Sequence, residues 1–151
     1  MAHRFANIAP VGSLLKGAGR EVKTKPAKPK TKGRVRDNAH LEAIRQLPCV
    51  NPLCRRDPAG VAAHVRFACA EIGKPNPGMQ AKPDDAWTLP LCQSCHQDAP
   101  DAQHKGAEIA FYKRIGIDPI KTCMALYDAS PNVEHMRAVV FTCHTFALLE
   151  G

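Results

Sequence analysis

Four cysteines in two close pairs are the first residues whose spacing bears on chemistry. Cys92-Gln93-Ser94-Cys95 is a CxxC turn, and Cys49 and Cys54 form a looser pair with four residues between them. Thirty-seven residues separate the two pairs. A tetrahedral zinc site takes four soft ligands at about 2.3 Å, usually delivered by two tight turns. Four small buried residues, or a redox-active dithiol, would also account for a CxxC by itself. Two such pairs in one small chain favour zinc. Cys69, Cys123 and Cys143 lack close partners and read as core residues, a common place for free cysteine.

Three histidines lie within or just after this cysteine frame: His64, His96 and His104. His96 follows Cys95 directly, so the knuckle sets its position, and His104 comes eight residues later. Asp84 and Asp85 stand between His64 and the second cysteine pair. A lone histidine is more often a polar core residue than a ligand. Three of them with a carboxylate, tied to one zinc frame, can hold a divalent cation and leave a position open for a substrate oxygen. A remaining imidazole, titrating near neutrality, can act as general base. Arg66 and Lys82 lie close to the motif and could hold phosphates, or be ordinary surface charge. Glu108 reads as a helix N-terminal acid.

These side chains need elements to position them. Asp37 or Asn38 can cap a helix through His40, Leu41, Ile44 and Leu47, which Pro48 stops. Residues 60–67 read as a strand, with Val61, Val65 and Phe67 as its apolar set. Residues 73–83 hold three prolines and two glycines and read as a loop. Residues 87–91 read as a second strand, and 92–97 as a turn into a short helix. A helix over 107–115 should end at Gly116. Asp118-Pro119 opens another, to about Tyr127, and Ser130-Pro131 repeats that start signal. The last helix should run over 132–149, with Val133, Met136, Val140, Cys143 or His144, and Ala147 on one stripe. His135 and His144 read as structural.

Composition bounds the rest. The chain has 151 residues, a formal charge of +7, 44% hydrophobic residues and 5% aromatics. A core exists, but it is lean. No run of eighteen apolar residues suggests a membrane span. No leader pattern opens the chain, so its seven cysteines are expected in a reducing, cytoplasmic compartment. Residues 1–48 carry 11 Lys and Arg against 3 Asp and Glu, whereas 49–151 carry 10 against 11. Lys23, Lys25, Lys28, Lys30, Lys32, Arg34 and Arg36 alternate with Pro, Thr and Gly. Such a segment cannot bury enough surface to order itself, so 1–36 reads as a disordered basic tail. A tail of this kind suits a polyanion, with nucleic acid favoured over a merely solubilising role.

The run LPC(x4)C, then AHVR, KPDD, PLCQSCH and a histidine eight residues on, resembles an HNH (ββα-metal) nuclease. It most resembles the small phage and prophage-encoded members, including the recombination enhancement function nucleases. The resemblance covers roughly residues 41–127. It implies an α+β fold: a small zinc-clamped ββα-metal core over 37–130, several flanking helices, the tail 1–36, and a C-terminal helix within 131–151. By the same resemblance Cys49, Cys54, Cys92 and Cys95 match the structural zinc ligands. His64 matches the general base at the end of the first strand. His96 and His104 match ligands of a catalytic divalent cation (Mg, Mn or Zn). Asp85 falls near the catalytic middle position, which is often Asn. One departure is Ala63, where many members carry Asp or His as a ligand beside the base.

The expected function is therefore a metal-dependent DNA endonuclease or nickase. Its setting would be the cytoplasm of a bacterial host, with DNA and a recombinase filament as candidate partners and no membrane. A non-catalytic zinc-knuckle nucleic-acid-binding protein is the alternative. It shares the cysteines and the tail, and differs in whether His64, His96 and His104 converge on a cation. A thiol redox protein is a third reading, disfavoured by compartment and spacing. Oligomeric state has no signature in the sequence.

Overall fold

The computed structural model describes residues 33–78 and 81–149, all within the unit Lys32–Gly151. Lys23, Lys25, Lys28, Lys30 and Lys32, with the rest of the expected tail up to residue 32, lie outside the described residues. The architecture is α+β. Helix α1 (Asn38–Arg45) precedes strand β1 (Val61–His64), and strand β2 (Thr88–Leu91) follows. Helices α2 (Glu108–Arg114), α3 (Pro119–Ala129) and α4 (Val133–Leu149) complete the chain. Among the described residues, no helix is long and apolar enough to cross a membrane.

The helix starts follow from short polar side chains that satisfy free amides. Asp37 caps α1, its Oδ1 accepting from the His40 amide at 2.9 Å. Asp118 accepts from the amides of Ile120 and Lys121, with Pro119 opening α3. At α4 the cap is Asn132, which accepts from the His135 amide at 3.1 Å, and not Ser130. Gly116 follows the end of α2 with a φ of +68°, a conformation that side chains with a Cβ resist.

The strands pair antiparallel, with Val61 opposite Leu91, Ala63 opposite Leu89 and His64 opposite Thr88. Strand β1 is shorter than the alternation over 60–67 suggests. Beyond His64 the partner chain turns away at Asp84–Trp87, and the pairing closes with one bond from the Val65 amide to the Trp87 carbonyl. A two-stranded ribbon this short is marginal by itself. Its stability comes from the helices around it: α1 packs on both strands, α3 on β2, and α4 on α3 and α1. Ile44, Leu47, Val65, Leu89, Leu91, Tyr112, Leu126, Met136 and Val140 form the core. The stripe of α4 is completed by His144, which is buried, while Cys143 is half-buried. Cys123 is a buried core residue as expected, whereas Cys69 is half-buried. Helix α4 thus belongs to the same unit as the strands and is not a separate segment.

Substituting Gly116→Ala should lower the melting temperature by roughly 5 °C or more without changing metal content. A left-handed residue with a side chain costs about 1–2 kcal/mol, which sets that scale. The added Cβ would also lie 3.2 Å from that of Ala147. An unchanged thermal melt would show that the α2–α3 turn tolerates a side chain.

Candidate metal centre and histidine site

The first knuckle begins at Cys49; α1 has ended at Arg45, earlier than the stop expected at Pro48, because the Gln46 and Leu47 amides fold back to the Ala43 and Ile44 carbonyls. The Cys49 amide donates to the Arg56 carbonyl at 2.8 Å, and the Asn51 side chain accepts from the Leu53 amide. These bonds curl 49–56 into a closed turn, helped by Arg55 at a φ of 49°. The Val50 amide donates to Pro90 on β2 at 2.8 Å, and buried His144 of α4 donates to the Cys49 carbonyl at 2.9 Å. The second knuckle starts one residue after β2, with the His96 amide returning to the Cys92 carbonyl. Strand β2 therefore anchors both turns.

The four Sγ atoms of Cys49, Cys54, Cys92 and Cys95 lie within 4.8 Å of one another, close enough to hold a metal ion. Tetrahedral Zn–S bonds of about 2.3 Å would set the sulfurs ~3.8 Å apart, so the cluster suits a structural zinc. Cys54 and Cys92 are 3.5 Å apart at sulfur. Amide hydrogens already point at the cluster: Cys95 N–H at Cys92, Cys92 N–H at Cys49, and Asn51 Nδ2 at Cys95. Such donors support thiolate charge around a zinc. Hydrogen bonding from Cys49, aided by Asn51, pulls the Cys95 thiol down to about 5. The same bond, with burial, pushes Cys49 up, because a second anion beside the first is opposed. A divalent cation is what lets all four ionise together.

The histidines divide into two pairs. His64 closes β1 with its Nε2 3.1 Å from Asp85 Oδ1 and 3.3 Å from Arg34 Nη2. Arg34 Nη2 also donates to that Asp85 oxygen. The other oxygen, Oδ2, accepts from the Asp37 amide at 2.9 Å. Burial favours the neutral acid, yet the bonds from Asp37, His64 and Arg34 hold the Asp85 carboxyl below its usual range. Burial lowers His64, and the charges of Arg34 and Lys82 add to that against the opposing pull of Asp85. The balance favours the neutral imidazole, the form able to accept a proton. The Asp85 backbone is fixed from behind as well. His40 donates to Thr88 Oγ1 at 3.0 Å, and that hydroxyl donates to the Asp85 carbonyl at 2.8 Å.

His96 and His104 form the second pair, their Nε2 atoms 3.0 Å apart. Burial, then the charges of His104 and His64, bring His96 down to about 4, which favours the neutral ring with one nitrogen open as an acceptor. Two imidazole nitrogens at this spacing can share one proton or bind one divalent ion.

Three expectations need correction. His64, His96 and His104 do not meet at one point: among the described residues, the only group of three or more ligating side chains this close is the cysteine cluster. Asp85 joins His64, because the start of β2 lies opposite the end of β1, and it does not join the His96–His104 pair. Arg34 is not part of a disordered tail, since its guanidinium is bound at the His64 site. Arg36 is exposed, as is Lys82. Arg66 donates to the carbonyls of Gly78 and Ala81, so its guanidinium helps to hold the proline-rich loop.

Other supporting residues carried no sequence signal. Gln103 is 2% exposed, and its Nε2 reaches the His64 carbonyl, Glu108 and the Tyr112 hydroxyl at 3.2, 2.7 and 3.0 Å. Glu108 sits in the first turn of α2 as expected, and also accepts from the Arg66 amide at 3.0 Å. Together they tie the end of β1 to α2. Lys74, 3% exposed, donates to the Phe67 carbonyl and lies over the rings of Phe67 and Trp87, closing the base of the loop.

Cys49→Ser or Cys92→Ser should impair folding, because a structural metal contributes directly to the stability of a lean domain. Metal analysis of the wild type should find at least one tightly held zinc per chain. A protein equally stable in chelator would rule the site out. Acid should act in a defined direction. His40, His64, His96 and His144 are all depressed from 6.5, chiefly by burial, His96 to about 4. Between those limits the unfolded chain binds more protons, so stability should fall as pH drops from 6.5 towards 4. A melting temperature flat across that window would contradict the burial of these rings.

Comparison with protein-family models, curated proteins and solved structures finds no match to this chain.

Proposed function

We propose that this chain is a metal-dependent DNA endonuclease or nickase of the HNH kind that the sequence resembles. The observation that carries the reading is the His64 ring bonded to buried Asp85, together with a second imidazole pair set by the knuckle. On this reading Cys49, Cys54, Cys92 and Cys95 hold a structural zinc, and His96 and His104 hold a divalent cation (Mg, Mn or Zn). When bound, that cation would supply charge relief to the leaving oxygen of a phosphodiester. His64 takes the proton of the attacking water as general base, and Asp85 orients the ring and offsets the charge it gains. Lys82, Arg36 and the lysines at 23, 25, 28, 30 and 32 provide attraction to the DNA backbone that does not depend on sequence. A phage or prophage setting, and a recombinase filament as partner, belong to the same proposal.

A second reading, a non-catalytic zinc-knuckle nucleic-acid-binding protein, is favoured by one observation. His64 is not gathered with His96 and His104, and Ala63 offers no ligand to bridge them.

Nicking of supercoiled plasmid across a cation titration separates the two. His64→Ala should lose about 10²- to 10⁴-fold in rate, the usual loss for a positioned base, with zinc content and DNA affinity kept. His96→Ala should also lose cleavage, and raised cation should partly restore it. Metal rescue of His64→Ala would move His64 into the ligand set. No cutting by wild type with any cation would establish the second reading.

A further inference from the structure

The segment preceding α1 lies along Asp84 and Asp85. The Val35 amide donates to Asp84 Oδ1 at 2.8 Å, and the Asp85 amide donates back to the Val35 carbonyl at 3.1 Å. The Asp37 amide donates to Asp85 Oδ2, and Arg34 reaches Asp85 Oδ1. We propose that Arg34 is a positioning residue of the hydrolytic site, gripping the Asp85 carboxylate so that His64 is held with one defined nitrogen facing its proton donor. The inference rests on the reading of His64 as general base. It assigns Arg34 a task distinct from the phosphate contact expected of a tail residue.

The argument is a count of charges and hydrogen bonds. Asp85 is 1% exposed, and a carboxylate that deep needs a charged partner and a donor at each oxygen. Oδ2 has the Asp37 amide, and Oδ1 is shared by Arg34 and His64. Among these donors Arg34 alone carries a fixed positive charge. His64 Nε2 lies within reach of both a guanidinium and a carboxylate, and one ring nitrogen cannot accept from the first while donating to the second. With Arg34 committed to the carboxylate, His64 donates through Nε2 and keeps Nδ1 as acceptor. Without Arg34, the carboxylate loses its fixed counter-charge, and ring and carboxylate are free to shift. A planar guanidinium suits this place better than a flexible ammonium, because its donors are held in a fixed fork.

The test uses the full chain. Arg34→Gln should cut kcat for plasmid nicking by about 10²-fold, the lower end of what losing a positioned base costs. DNA affinity and the dependence of binding on log salt should not change. Arg34→Lys should lie between the two, and added guanidinium ion should restore part of the Arg34→Gln loss. A kcat equal to wild type would overturn the proposal. So would weaker binding with kcat intact and a salt dependence shallower by roughly 0.9, the signature of a lost phosphate contact. Circular dichroism and zinc content check that each variant is folded, and Arg34→Lys serves if Arg34→Gln is not. A second readout needs no catalysis. The ¹⁵N shifts of the His64 ring, measured without DNA, should report Nε2–H in wild type and a changed proton distribution in Arg34→Gln. Identical shifts would overturn the positioning role. Failure of the wild type to nick, with the shift change present, would remove the hydrolytic reading and with it the catalytic role of Arg34, while leaving the contact itself established.

Discussion

Four sulfurs held within 4.8 Å form an arrangement that opposes its own ionisation, and the rest of this unit is organised around making it tolerable. The opposite directions in which Cys49 and Cys95 shift express that opposition. Amide hydrogens aimed at the sulfurs relieve part of it, and a bound cation would relieve the remainder. The two knuckles meet because β2 anchors both, the first through the Val50–Pro90 bond and the second by direct continuation into Cys92. A ribbon of two four-residue strands has little stability of its own. Closing the cysteine cluster and packing α1, α3 and α4 on the strands are therefore two aspects of one folding event. His144 joins them physically, reaching from α4 to the Cys49 carbonyl.

The polar site is built on the far end of the same ribbon. His64 and Thr88 face each other across the last pair of the register, and everything around them fixes Asp85 between. One side is closed by Arg34 and the Asp37 amide, another by the His40–Thr88 relay, while Gln103 holds the His64 backbone. Asp37 thus serves twice, its side chain capping α1 and its amide reaching Asp85, so the start of the helix and the placing of the carboxylate are one feature.

What could be read from the sequence was local. The cysteine pairs, the caps at Asp37 and Asp118 and the α4 stripe all depend on spacings of a few residues, where backbone geometry leaves little choice. His96 was legible for the same reason, being adjacent to Cys95. What escaped was long-range and aperiodic. Arg34 and Asp85 are 51 residues apart, and no pattern of charge distinguishes Arg34 from the lysines before it. Gln103 carries no signal in the sequence, although it is buried against His64, Glu108 and Tyr112. Arg66 carried a plausible phosphate-binding signal, yet its guanidinium is engaged by loop carbonyls that only the folded loop brings near. The division of the histidines into two pairs follows from the strand register, which the alternation over 60–67 suggested without fixing its partner.

The adjacency of Cys95 and His96 has a mechanical consequence. The His96 amide is bonded to the Cys92 carbonyl, so the backbone turn that presents the Cys92 and Cys95 sulfurs is also the one from which the His96 ring departs. A change that opened this turn would move a sulfur ligand and an imidazole together, so damage to the knuckle would register at the histidine pair as well.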